Sequence, residues 1–209
     1  MQLFKDFGLY SVDLNYLSYL YSNDSEVMYS SDNNYEDKPF LGTLITISGI
    51  KYLIPLTSAK NKHIGKKDID DKQIRIFEII DTRFEIISPK DIIDTLTDSD
   101  IEKLKESGID ANDTIFYKKK LLSVLMIGKM IPVSDLVIMP KDLKIKSNMD
   151  TNEYNKRALL NKEYLICLSL KDKIFNKAAK LYEKSMSREK PLPFCCDFKK
   201  LEECMRDYN

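Results

Sequence analysis

Phe40-Leu41-Gly42-Thr43-Leu44-Ile45-Thr46-Ile47-Ser48-Gly49-Ile50-Lys51-Tyr52-Leu53-Ile54-Pro55-Leu56-Thr57-Ser58-Ala59-Lys60 is the stretch on which the fold turns. Two runs rich in β-branched residues flank Ser48-Gly49, which is the pattern of a β-hairpin with a tight turn. The second run ends in two hydroxyl residues and a lysine. It then enters Lys60-Asn61-Lys62-His63-Ile64-Gly65-Lys66-Lys67, a cationic segment without an acid.

Working outward, residues 7–12 read as a short strand, and Asp13 caps a helix to about residue 21, with Leu14, Leu17, Leu20 and Tyr21 at helical spacing. Residues 22–37 are a polar loop. Residues 74–80 and 83–87 read as a strand pair around Asp81-Thr82. Ser88-Pro89 and Ser99 with Glu102 each mark a helix start, and Gly108 a stop. These helices carry an acidic segment that reads as an insertion at about 77–113 between strands of one sheet. Residues 114–117, 121–127 and 130–139 are further strands, the last kept to an edge or a bulge by Pro132. Asp150-Thr151-Asn152-Glu153 opens one long helix that Lys190-Pro191 ends, and a short helix at 198–205 closes the chain. The expected architecture is a single domain over 1–209 of the α+β class. It is a compact curved antiparallel β-sheet with packed helices, including one long C-terminal helix.

Composition narrows the chemistry. The 209 residues hold 33 basic and 33 acidic side chains and one histidine, so a paired-histidine or two-histidine zinc site is excluded within one chain. Cys167, Cys195, Cys196 and Cys204 lack metal-binding spacing and read as free thiols in a reducing compartment. No phosphate-binding P-loop, dinucleotide fingerprint or nucleophile elbow occurs. Residues 1–6 do not lead into an apolar run, and nothing approaches the roughly 18–20 apolar residues of a membrane span. A cytoplasmic protein without a membrane partner or cofactor is expected. Asp68, Asp70 and Asp71 read as a solvated acidic loop rather than a magnesium site.

Neutrality hides segregation. Residues 41–67 carry +5, residues 68–113 carry −8 and residues 141–190 carry +6. A phosphate chain senses charge within about 10 Å at cellular salt, so the basic loop at 60–67 and Lys118-Lys119-Lys120 are candidate RNA contacts. Thr57 and Ser58 either point to opposite sides of the strand end or fan around one anion, with Lys60 in reach of the same phosphate. This suits RNA cleavage, in which the substrate's own 2′-hydroxyl is the nucleophile and the protein supplies in-line geometry and charge stabilisation. A non-catalytic RNA-binding module is the competing reading.

The chain resembles the ToxN/AbiQ/CptN family, toxins of type III toxin–antitoxin and abortive-infection systems. The resemblance is carried, in order, by Tyr16-Leu17-Ser18-Tyr19-Leu20, Lys38-Pro39-Phe40-Leu41-Gly42, residues 47–60 with His63, Met130-Ile131-Pro132-Val133, and residues 196–203. It implies a Kid/MazF-like barrel and a metal-independent endoribonuclease that leaves a 2′,3′-cyclic phosphate. It also implies a toxin whose partners are cellular or phage mRNA and a repeated pseudoknot antitoxin RNA, which it processes and which inhibits it in a closed toxin–RNA hetero-oligomer. Thr57, Ser58 and Lys60 match the family's active-site stretch, Tyr16 and Lys38 match residues lining the same groove, and Tyr35 falls near an aromatic there, with its spacing to Lys38 one residue off. Lys62, His63, Lys118, Lys119, Lys156 and Arg157 are the further expected RNA contacts. The acidic insertion departs from the compact members.

Overall fold

The structure, a computed structural model, describes residues 7–30 and 41–208. The hairpin forms as its sequence requires. Strands β2 (Leu41–Ile47) and β3 (Ile50–Ser58) pair antiparallel from Ile47 opposite Ile50 to Gly42 opposite Pro55. Ser48 and Gly49 supply the two positive φ values, 51° and 81°, that a two-residue hairpin turn needs. Gly42 is required by space: a Cβ there would stand 2.4 Å from the Ile54 carbonyl oxygen.

Around this hairpin the chain adds β1 (Leu9–Val12), β4 (Ile74–Asp81), β6 (Tyr117–Leu125) and β8 (Ile138–Pro140). The antiparallel sheet runs β4-β6-β3-β2-β1-β8, with β5 (Ile92–Asp94) on β6 and β7 (Ile131–Pro132) on β3. Its ends, β4 and β8, do not meet, so the sheet is open rather than the closed barrel that the resemblance implies.

Helix α1 (Leu14–Asn23) starts where the Asp13 carboxylate accepts the Tyr16 N–H at 3.0 Å, and it buries Tyr16, Leu17 and Leu20. Helices α3 (Thr151–Ser169), α4 (Lys171–Met186) and α5 (Phe198–Asp207) complete the core. There the buried Glu202 carboxylate accepts the hydroxyls of Tyr52 at 2.6 Å and Tyr182 at 3.0 Å. All four cysteines are buried free thiols.

Several expected elements differ. The long helix is two, broken at Leu170 (φ −98°, ψ 7°). Residues 83–87 are not a strand, because Asp81 folds the chain back by accepting the Arg83 backbone and guanidinium. Ser88-Pro89 opens a turn, and the β-branched Ile92-Ile93 that follow take the free edge of β6 instead of a helix. Helix α2 (Asp98–Glu106) starts two residues early, because Thr97 rather than Ser99 is its cap and Thr97 and Asp100 cap each other reciprocally. β6 is continuous through Lys118-Lys119-Lys120, because flanking strands pair it on both edges. The 130–139 strand survives only as β7 and β8, because the chain turns between them, where the Val137 N–H donates to the Ser134 carbonyl at 3.3 Å; Pro132 itself lies within β7, opposite Tyr52.

Candidate functional site

β3 leaves the sheet at Ser58. Up to that point β6 pairs with it, Thr57 opposite Val124 and Ser58 opposite Ser123; beyond it, from Leu121 to Lys119, the same edge of β6 is occupied by β5. The chain turns out between them at the irregularity around Leu122, whose carbonyl accepts the Ala59 N–H at 3.2 Å. Thr57, Ser58 and Lys60 therefore sit at a notch between two strands that share one neighbour. Regular pairing to Ser58 settles the alternative left open by the sequence. Successive side chains of a strand point to opposite faces, so the two hydroxyls diverge. Thr57 is half-buried on the face shared with Val124 and Arg75, whereas Ser58 shares the Ser123 face and is exposed. Lys60 is exposed and extended, with φ −140° and ψ 161°.

The loop after Lys60 is a tight 3-10 turn, Asn61–His63. The His63 Nδ1 accepts the Lys60 backbone N–H at 3.0 Å, and the His63 N–H donates to the Lys60 carbonyl at 2.8 Å. An N–H can only donate, so Nδ1 is unprotonated and the neutral ring carries its proton on Nε2. Burial, then Lys62, Lys60 and Arg75, hold the imidazole below its ordinary value of 6.5.

Beneath this turn lies a charge network. Arg75, 2% exposed, donates to the His63 carbonyl at 2.8 Å and to Asp94 and Asp68 at 2.5 Å each. Asp94 Oδ2 also accepts the Gly65 N–H at 3.0 Å. Lys119, fully buried, contacts Asp68 at 2.8 Å and Asp100 at 2.6 Å, with its ammonium 4.2 Å from the centre of the Phe77 ring. Burial alone raises the Asp94 and Asp100 carboxyls, but Arg75 and two backbone N–H groups at Asp94, and Lys119 and Thr97 at Asp100, outweigh it and leave both below the ordinary carboxylate value.

The expected RNA contacts divide accordingly. Lys62 is exposed beside Lys60, as are Lys66 and Lys67. His63 is only 7% exposed, with Nδ1 turned to its own chain. Lys119 presents no surface to an RNA: its charge is internal. Tyr16 is 1% exposed, and its hydroxyl donates to the Pro132 carbonyl at 2.7 Å. Pro132 pairs with Tyr52, six residues back along β3 from Ser58 and roughly 20 Å of strand away. Tyr16 is thus a core residue, packed edge-on against Tyr208. Lys118 is half-buried, and Lys156 is exposed on α3. Arg157 is engaged by Asp142 at 3.1 Å and Glu153 at 3.0 Å. Tyr35 and Lys38 lie outside the described residues.

Arg75, Asp94 and Asp68 were not legible as site residues, since their roles depend on contacts across the sheet. Asp68 belongs to this network, whereas Asp70 caps a turn through the N–H groups of Lys72 and Gln73 and Asp71 meets Lys177 at the surface. Among the described residues no group of three or more histidine, cysteine or acidic side chains converges as a metal site. What the notch offers is an exposed hydroxyl and an ammonium two residues apart on a braced backbone, the donors that a phosphodiester needs for orientation and charge stabilisation.

Comparison with known proteins bears on the family and the fold. Endoribonuclease ToxN of Bacillus thuringiensis subsp. kurstaki is 25% identical over 206 residues, covering 95% of this chain and 82% of the relative. Endoribonuclease ToxN of Pectobacterium atrosepticum is 26% identical over 200 residues, covering 95% and 92%. The fold matches that of AbiQ, a lactococcal anti-phage endoribonuclease of a type III toxin–antitoxin system, with a TM-score of 0.61, 23% identity and 96% of each chain covered. It also matches, with a TM-score of 0.63, 23% identity and 96% of each chain covered, a structure concerned with selective inhibition of a bacterial type III toxin by a non-coding RNA pseudoknot. The family described as "Toxin ToxN, type III toxin-antitoxin system" matches residues 8–206, and the chain belongs to that family.

Proposed function

We propose that this chain is the endoribonuclease toxin of a type III toxin–antitoxin system active against phage, cutting single-stranded RNA in the cytoplasm by attack of the substrate's 2′-hydroxyl. In the reaction the 2′-hydroxyl gives up its proton as its oxygen bonds to phosphorus, the P–O5′ bond breaks, and the departing 5′-oxygen takes up a proton, so the two transfers cancel and the products are a 2′,3′-cyclic phosphate and a 5′-hydroxyl. Ser58 donates to a non-bridging oxygen. The Lys60 ammonium neutralises charge gathering on the phosphorane and on the departing 5′-oxygen. Thr57, on the other face, steadies the strand end. No step requires a metal ion.

The observation that carries this reading is the exposed Ser58–Lys60 pair at the one place where β3 leaves the sheet. Antitoxin pseudoknot RNA is the second ligand, held in a closed toxin–RNA assembly by the exposed lysines of the 60–67 loop and by Lys156. Among the described residues no helix is long and apolar enough to cross a membrane.

The test is cleavage of a short unstructured RNA in EDTA by the wild type, Ser58→Ala and Lys60→Ala, with the new ends identified by mass. Loss of an oxyanion donor is expected to cost on the order of 10²–10³ in rate. RNA bound by the wild type but never cut would make the protein a binding module instead.

A further inference from the structure

The acidic insertion is joined to the loop that bears Lys60. Asp94 lies at the end of β5, inside the insertion, and is 6% exposed. One of its oxygens, Oδ2, takes two donors: the Gly65 N–H at 3.0 Å, in the basic loop, and the Arg75 guanidinium at 2.5 Å. Arg75 hands the constraint on to the His63 carbonyl at 2.8 Å, and His63 closes the turn on the Lys60 N–H at 3.0 Å. Each link is a polar group that is buried or turned inward, and together they run from insertion to lysine without a gap.

We propose that Asp94 and His63 are positioning residues for Lys60, so that the insertion serves as the clamp that fixes the aim of the lysine at the phosphate. The proposal rests on the reading of Ser58 and Lys60 given above. A lysine side chain has four rotatable carbons, and the backbone it springs from lies outside the sheet. Without a brace its ammonium samples a wide volume, and a misplacement of about 1 Å can cost about 10²-fold in rate. β3 stops at Ser58 and the last backbone bond to β6 is made by the Ala59 N–H, so Lys60 is the first residue that the sheet does not hold. Direct RNA binding by His63 fits poorly, because the ring is buried and its Nδ1 is already engaged. A solvated role for Asp94 fails for the same reason.

Steady-state cleavage of an unstructured oligoribonucleotide, with kcat and KM separated, tests this in the full chain. Asparagine places its Oδ1 near the position of Nδ1 and accepts the Lys60 N–H; glutamine places its amide near Nε2 and does not. His63→Ala and His63→Gln are expected to lose about 30-fold or more in kcat, with KM within about threefold. His63→Asn is expected to recover most of that loss. Asp94→Asn is expected to lower kcat and to speed amide exchange at Lys60 and Gly65 by about tenfold, while amides of the β2–β3 hairpin keep their protection. If Asp94→Asn fails to fold, the His63 series decides. A His63→Ala enzyme with wild-type kcat, a rise in KM alone, or unchanged protection at Lys60 in Asp94→Asn would each overturn the clamp. Ser58→Ala and Lys60→Ala variants that cut at the wild-type rate would remove the site itself, a result distinct from any of these.

Discussion

Replacing Lys119 is expected to damage the fold and leave RNA affinity alone, although it sits in a run of three lysines. Its ammonium is wholly enclosed between Asp68 and Asp100, the latter itself buried, and over the Phe77 ring. Removing one member of a buried ion pair costs about 3–5 kcal/mol, because the partner is left uncompensated. Here the lower end applies. Asp100 keeps the Thr97 N–H at 2.9 Å and hydroxyl at 2.6 Å, and Asp68 keeps Arg75 at 2.5 Å. For Lys119→Ala a loss of about 3 kcal/mol corresponds to a fall of about 1–1.5 M in the urea midpoint, at a slope of about 2–3 kcal/mol per M. The double variant Lys119→Met/Asp100→Asn removes both charges and should regain much of the loss. RNA affinity measured on the folded protein against salt should keep its slope, since no phosphate contact is deleted. An unchanged urea midpoint together with a slope shallower by about one would refute the reasoning and return Lys119 to the RNA surface.

Three further outcomes are expected. His63 is held below 6.5 by burial and by Lys62, Lys60 and Arg75, so its neutral, turn-closing form is intact above that pH and is lost as pH falls through the depressed value; kcat should show an acid limb below 6.5 that His63→Asn lacks. Burial raises the Glu163 carboxyl above 4.5, only partly offset by the facing Ser123 hydroxyl, so the folded state prefers it protonated and this preference turns into a cost as pH rises through its folded value. Glu163→Gln should therefore raise the melting temperature at neutral pH, by about 2–4 °C for each kcal/mol recovered, and give no gain near pH 4. Gly42→Ala drives a Cβ to within 2.4 Å of the Ile54 carbonyl and should cost about 1–3 kcal/mol, seen as a lower melting temperature; an unshifted transition would show that β2 yields there.

Local chemistry made much of the fold legible. The β2–β3 hairpin, the Asp13 and Asp150 helix caps and the apolar stripe of α1 are written in short stretches of neighbouring residues, and they appear as expected. The errors fall where a long-range contact overrules local preference. Residues 92–94 become a strand only because β6 has an edge to pair, and Lys119 goes inward only because Asp68 and Asp100 arrive from distant segments to meet it. Tyr16 is read as a groove residue by its place in the family pattern, yet α1 packs on α5 and turns the ring into the core.

The candidate site divides in the same way. The hydroxyl pair, the lysine and the acid-free loop are visible in the chain as printed, because a run of donors beside a strand end is a matter of sequence neighbours. That Thr57 and Ser58 diverge follows from the pairing register, which a single strand does not possess. That His63 looks inward, and that an acidic insertion some thirty residues downstream steadies a basic loop, follows from opposite charges being buried together, where attraction outlasts solvent screening. Residue order thus determined which chemical groups are available, and the three-dimensional packing decided which of them face an RNA and which hold the others in place.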